Sequence, residues 1–394
     1  MDNLTLFKSE ENSVENTNLA QKAFKTHVNL AGILTKASTT LPKVYEAIEA
    51  DSKFKRDKLV KEDLVRLSVD LKCQKYVFTK NGLLTLNDFT DIPNAMFEYL
   101  YEKKYHADYA DYCNHELDKR AEKKRVSKEF LLRFRKIKDV DHIRGVMSNR
   151  YGIIDHIDVM KAIVKGLPGG KFDCKCTNYW YDGDSLGINI LMPDYIKDDE
   201  GSEYSCGVTI GNSEIKAKTF SIHPYIYSKA DGTGYLWGKR DLAISVNQKH
   251  VGKIETAKID DLTSVAIKAS LSIGKSLIVF FSYAKKIKIS NGLRIIASIC
   301  RDYKLSIPQG KKIHEAYLSG KHANTAFGII NAISVSALNY SGPERECLEK
   351  IATQLLAPTI DSTKIQVEKR WESIGSRAYL LDAKIVSLYE HKGV

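Results

Sequence analysis

Between Lys171 and Lys253 the chain alternates apolar and polar residues with period two, and no other stretch restricts the possible folds as much. Phe172, Cys174 and Cys176 form one set, Leu186, Ile188, Ile190 and Met192 a second, and Tyr204, Cys206, Val208 and Ile210 a third. Side chains on a strand point to opposite faces in turn, so each set reads as a strand with one buried face. Asp182-Gly183, Gly201-Ser202, Gly211-Asn212 and Asp231-Gly232 supply the turns. Phe220–Tyr227 and Leu242–Val246 are further strand candidates, and a hairpin is expected near Gln248–Gly252. Strands in direct succession, with no helical stretch between them, predict an antiparallel meander.

Helical spacing flanks this sheet. Downstream, Ile259, Leu262, Val265, Ala266 and Ala269 open a long helix, and the tail from Glu344 to Tyr389 reads as two helices split by Pro358. Upstream, Val44, Ile48, Leu59, Leu64 and Leu67 recur at helix-like intervals, and Tyr76–Phe78 reads as a strand entering an Asn81-Gly82 turn. From Pro93 to Arg125 no Gly or further Pro interrupts the chain, and Phe97, Tyr101, Tyr105, Tyr109 and Tyr112 fall along one face of a predicted long helix, ending in a charged stretch from Asp118 to Lys128. The expected organisation is a flexible polar arm over 1–40, a helical region over 41–138, an α+β core domain over 139–340 and C-terminal helices over 341–394. The fold class is α+β, with a central antiparallel sheet followed by a long helix.

Charge narrows the partners. Sixty Lys and Arg against 49 Asp and Glu leave a formal charge of +11, a surplus that draws polyanions through its long-range field and makes nucleic acid the leading partner. Seven cysteines without a CxxC pair argue against a disulfide framework or a thiolate zinc site and read as reduced thiols. The opening MDNLTLFKSEENS has neither a basic leader nor an apolar core, and the longest apolar run, Leu277 to Phe281, is too short to cross a bilayer. A cytoplasmic protein with no membrane partner is expected.

Three segments carry a family likeness. GVMSNRYGIIDHIDVMKAI (Gly145 to Ile163), SNGLRI (Ser290 to Ile295) and KHANTAFGIINAISVSA (Lys321 to Ala337) together resemble the motifs of a phage and plasmid family known only as a domain of unknown function (DUF932). Asn149 stands where that family usually has Asp, Phe327 replaces Trp, and Ile330 takes a Tyr place. The likeness implies a mobile-element protein in a bacterial host cell and brings no chemistry with it. At the level of pattern alone, strands followed by a long helix among basic residues are similar to phage single-strand annealing recombinases. That similarity implies a basic groove, self-assembly into a homo-oligomer and no cofactor.

Within the meander, YLWGKRDLAISVNQKHVGK places Tyr235, Trp237, Lys239, Arg240, Lys249, His250 and Lys253 in one predicted hairpin. Flat rings stack on unpaired bases and cations meet phosphates, so this stretch is the leading platform for single-stranded DNA, with a packed core beside a solvated turn as the alternative. Lys216, Lys218 and the Lys285-Lys286-Lys288 run can extend the same field. Arg150 and Tyr151 form a second basic-aromatic pair, alongside Arg144; the alternative is that Tyr151 packs and Arg150 pairs with Asp155 or Asp158. The tyrosine stripe reads as helix packing.

Enzyme signals are weaker. Ala269 to Ser276, ASLSIGKS, satisfies a loosened phosphate-loop pattern with Lys275 and Ser276 in the key places, but helical spacing precedes it where a strand is needed. Asp182, Asp184 and Gly187 imitate the opening of a calcium loop that fails at Leu186 and Pro193. No HExxH or nucleophile elbow occurs. The reading is a single-stranded DNA-binding protein that promotes annealing without catalysis; a phosphate-loop NTPase and a protein-binding module acting on a host factor are the rivals.

Overall fold

The computed structural model of the chain describes residues 39–122, 129–170, 174–236, 246–357 and 362–391. It begins with a short strand, β1 (Thr39–Thr40), and helix α1 (Leu41–Ser52), whose Leu41, Val44 and Ile48 lie on one buried stripe. Strands β2 (Lys55–Lys61), β3 (Lys72–Cys73) and β4 (Tyr76–Phe78) follow, then helices α2 (Lys80–Asn87), α3 (Asn94–Glu102) and α4 (His106–Glu122), and the hairpin β5 (Glu129–Ile137) to β6 (Val140–Ser148). These strands make a five-stranded sheet in the order β2-β5-β6-β4-β3, antiparallel except for the β4–β6 pair. Phe130, Leu132 and Phe134 of β5 pack with Leu83, Leu86, Phe97 and Tyr109 from the helices as its core.

This corrects two expectations. The region 41–138 is a sheet with helices on one face rather than a helical unit, and the boundary at 138/139 falls in the turn of the β5–β6 hairpin, where Lys138 and Asp139 both have positive φ. The expected continuous helix from Pro93 is broken at Lys104, which sits at φ 59°; Tyr109 is buried while Tyr105 and Tyr112 are exposed. Neither break carries the Gly or Pro that makes such a turn legible.

The meander forms as the alternation of the Leu186–Met192 and Tyr204–Ile210 sets predicts, whereas in place of the hairpin expected near Gln248–Gly252 the strand at Val246–Gln248 pairs with Phe220–Ile222 and Val251 pairs with Tyr151. Residues 242–245 of the expected Leu242–Val246 strand lie outside the described residues. After α5 (His156–Gly166) come β7 (Lys175–Tyr181), β8 (Ser185–Lys197), β9 (Glu203–Ser213), β10 (Phe220–Ser228), β11 (Thr233–Leu236) and β12 (Val246–Gln248). With β1 they form a seven-stranded antiparallel sheet in the order β1-β7-β8-β9-β10-β11, β12 also pairing with β10. The register sets Ile188 opposite Ile210 and Ile210 opposite Ile222, so the apolar sets share a face. Each such side chain contributes about 1.5–3 kcal/mol when fully buried.

Helix α6 (Thr256–Lys286) crosses that face. Its first half joins the meander core through Ile259, Ala266 and Ile267, and its second half joins another core through Leu277, Phe280, Phe281 and Ala284. Its two halves, Thr256–Ser272 and Ser276–Lys286, lie at 44° to one another. The second core is completed by α7 (Gly292–Asp302), α8 (Ile307–Ser319), α9 (Ala326–Ala337), α10 (Gly342–Leu356), α11 (Lys364–Tyr379) and α12 (Ala383–Leu388). Helix α10 also reaches the polar face of the meander, where Glu349 accepts from Asn189 Nδ2 at 3.3 Å and Tyr225 Oη at 3.5 Å. Among the described residues no single helix is long and apolar enough to cross a membrane.

Candidate nucleic-acid interface

The two sheets meet across a buried layer of opposite charges. Residues of β5 alternate, so while Phe130, Leu132 and Phe134 face the small core, Arg133 and Arg135 face the meander. Arg133 contacts Asp57 at 3.0 Å, the Glu214 carbonyl at 2.7 Å and Asp155; Arg144 of β6 meets Glu214 at 2.7 Å and Asp184 at 3.1 Å. Lys55 reaches Asp51 at 2.9 Å and Glu214 at 3.0 Å, and Arg135 reaches Asp51 at 2.5 Å. Burial alone would raise the Glu214 carboxyl, but Lys55, with His156, Arg144 and Arg133, holds it well below the usual carboxylate range. Burial opposes the ionised form of Asp51 too, yet Lys55 and Arg135 lower it. Asp155 goes the other way: burial raises it, and Arg133 only partly offsets this.

Above this layer, two distant segments come together. The backbone N–H of Gly252 donates to the Arg150 carbonyl at 2.9 Å, and Tyr151 bridges Val251 in antiparallel pairing. His250 stacks on Tyr151, with ring centroids 5.1 Å apart and planes 7° from parallel, and its Nδ1 donates to the Gly152 carbonyl at 3.0 Å. Burial pushes the His250 imidazole down to about 4, so the ring is neutral near pH 7. The joint depends on Gly152, where an added Cβ would lie 2.6 Å from the Gly252 carbonyl oxygen and 2.6 Å from Ile254 Cδ1. Gly152→Ala is therefore expected to destabilise the fold by about 1–3 kcal/mol, read from the denaturant midpoint, through overpacking at this contact.

Around this joint Arg150, Lys249 and Lys253 are exposed, a basic ridge in which Val251 is 68% exposed and Ile153 37% exposed. Among the described residues Arg150 and Lys249 make no ion pair, and Lys253 lies 3.9 Å from Glu255. The alternative pairing of Arg150 with Asp155 does not form, because Arg133 takes that carboxylate. The backbone pairing thus brings the exposed cations of two separate sequence candidates to one joint.

The aromatic half of the expectation is corrected. Tyr235 is 0% exposed, packed against Phe281 with its hydroxyl donating to Asn331 at 3.1 Å, so its ring has no free face for a base. Tyr151 is likewise buried, one ring face against His250. Period-two patterning places a tyrosine on one face or the other but does not say which face is covered, and here helix α6 covers it. Trp237, Lys239 and Arg240 lie outside the described residues. The other basic positions divide: Lys216 pairs with Asp88 at 3.4 Å, Lys218 with Glu346 at 3.3 Å, and buried Lys285 with Asp198 and Glu200 at 2.8 Å each, whereas Lys286 and Lys288 are exposed.

The remaining sequence signals find structural explanations. Ala269 to Ser276 is helical within α6, so the backbone offers no loop to wrap a phosphate. Asp182 caps its own turn, accepting from the N–H groups of Asp184 and Ser185 at 2.9 and 2.6 Å, while Asp184 pairs with Arg144. Among the described residues no group of His, Cys, Asp or Glu is arranged to hold a metal ion. Comparisons with protein-family models, with curated proteins and with solved structures find no match to this chain.

Proposed function

We propose that the chain binds single-stranded DNA along the ridge of Arg150, Lys249 and Lys253, as a strand-annealing protein of a phage or mobile element acting in a bacterial cytoplasm. The observation that carries this reading is the hydrogen bond joining Gly252 to Arg150, which gathers exposed cations from segments a hundred residues apart in a chain of net charge +11. Binding is mainly electrostatic: ammonium and guanidinium groups meet phosphates, and Val251 and Ile153 offer apolar surface to an unpaired base. Little sequence preference follows, because phosphate contacts fix position without reading bases. No cofactor is consumed, since annealing requires only that a neutralised strand be presented to its complement.

The test is a titration of the full chain with labelled single- and double-stranded oligonucleotides at two salt concentrations. The expected result is tighter binding of the single strand, with log affinity falling against log salt at a slope of at least about −2, from three phosphate contacts at ~0.7 each. A module that binds a host protein instead would leave the oligonucleotide unbound even in dilute buffer, and that outcome ends the DNA-binding reading.

A further inference from the structure

Two of the three sequence motifs are not used by the ridge, and they meet elsewhere. The Ser290–Ile295 turn and the Lys321–Ala337 segment are tied by an antiparallel bridge between Lys288 and Thr325, with Ile289 N–H donating to the Asn324 carbonyl at 2.9 Å and Ala326 N–H to the Ile287 carbonyl at 2.9 Å. The turn forms one wall of a cleft of about 430 Å³, and helix α11 forms the other. Its floor is apolar, from Ile289, Ile295, Trp371 and Ala378, and Gly375 leaves room, since a Cβ there would meet nothing within 4 Å.

The walls carry opposite charges. Lys286 and Lys288 stand on one side and Glu368 and Glu372 on the other. At the rim Tyr379 is 68% exposed, and its neighbour Leu380, at 85%, is the most exposed large hydrophobic side chain among the described residues. This knob is held in place: Arg294 Nη1 donates to the Leu381 carbonyl at 3.0 Å and the Tyr379 carbonyl at 3.5 Å. A polyanion would meet the two glutamates of the far wall beside the cations, and a small ligand leaves Leu380 uncovered.

We infer that this face pairs with a second copy of the chain about a twofold axis, Leu380 of each copy entering the cleft of the other, while Tyr379, whose hydroxyl lies 3.4 Å from Ser290 Oγ, stays in its own cleft wall. An isologous contact needs one patch that complements itself. This patch carries a knob, a hollow and both signs of charge, and a twofold axis that exchanges the walls sets Lys286 and Lys288 of one copy against Glu368 and Glu372 of its partner. The inference is independent of nucleic-acid binding, because none of these residues lies on the ridge.

Sedimentation velocity of the full chain over a concentration series tests it. The wild-type mass is expected to double, and Leu380→Asp, or Lys286→Glu with Lys288→Glu, to return it to one chain with an unchanged far-UV spectrum. Glu368→Lys with Glu372→Lys is expected to do the same alone. Mixing the two charge-reversed chains is expected to restore the doubled mass, since every contact is then between opposite signs, a recovery that general misfolding does not produce. A wild-type mass of one chain up to the solubility limit, association unchanged by Leu380→Asp, or failure of the mixture to associate would each overturn the pairing.

Discussion

Replacing Arg150, Lys249 and Lys253 together by Glu is expected to weaken single-stranded oligonucleotide binding on the order of a hundredfold in dilute buffer and to remove most of its salt dependence. Three favourable phosphate contacts become three repulsions on the same ridge. All three side chains are exposed, so the far-UV spectrum and melting temperature should stay with the wild type. Fluorescence anisotropy beside a thermal melt separates the two effects. Conversely, Tyr235 has its ring in the core, so its loss should act on stability rather than on a stacked base. Wild-type affinity in the triple variant would place any nucleic-acid surface elsewhere.

Glu214→Gln is expected to cost about 3–5 kcal/mol of stability, the largest effect of any single change considered. The buried Glu214 carboxylate lies within 3.0 Å of both Lys55 and Arg144 and accepts from the His156 backbone N–H at 2.8 Å. Without its charge, cations already stripped of water lose their counterpart. The same layer makes stability depend on acid. His156 is pushed down to about 3 by burial and His250 to about 4, whereas both titrate near 6.5 when the chain unfolds. Between those values the unfolded chain takes up protons that the folded chain refuses, so stability is full above about pH 7 and falls as the pH drops toward 4. Glu214 and Asp51, lowered in the fold, add loss in the same direction below about pH 4.5. Asp155, raised in the fold by burial, opposes this loss. Chemical denaturation at a series of pH values checks the curve, and a flat profile from pH 7 to pH 4.5 would show that these imidazoles are accessible to protons.

The meander was legible because Leu186, Ile188, Ile190 and Met192 keep strict alternation over a covered face, and Gly-containing turns punctuate it. Strand β2 was not. Its sequence, KRDKLVK, looks like a solvated helix end; its Lys55 and Asp57 are tied up in ion pairs whose partners, Glu214 and Arg133, lie far away in the chain. The same reason hid the charged layer: Asp51, Arg133, Arg144, Asp155 and Glu214 each read as surface residues, and only the packing of one sheet on the other removes them from water. At the ridge, cations were recognisable because exposure suits them anywhere, but that Arg150 adjoins Gly252 follows from a backbone pairing no local pattern encodes.

The strand pairings also set an order on synthesis. Thr39 takes its place only opposite Cys176, and Val77 only beside His142 in a parallel pair, so these strands must wait for partners made far downstream. The charged layer waits longer still, until Glu214 has been made. Until then Lys55, Arg133 and Arg144 lack the partner that Glu214 gives them, so a chain stopped short of residue 214 cannot complete the layer.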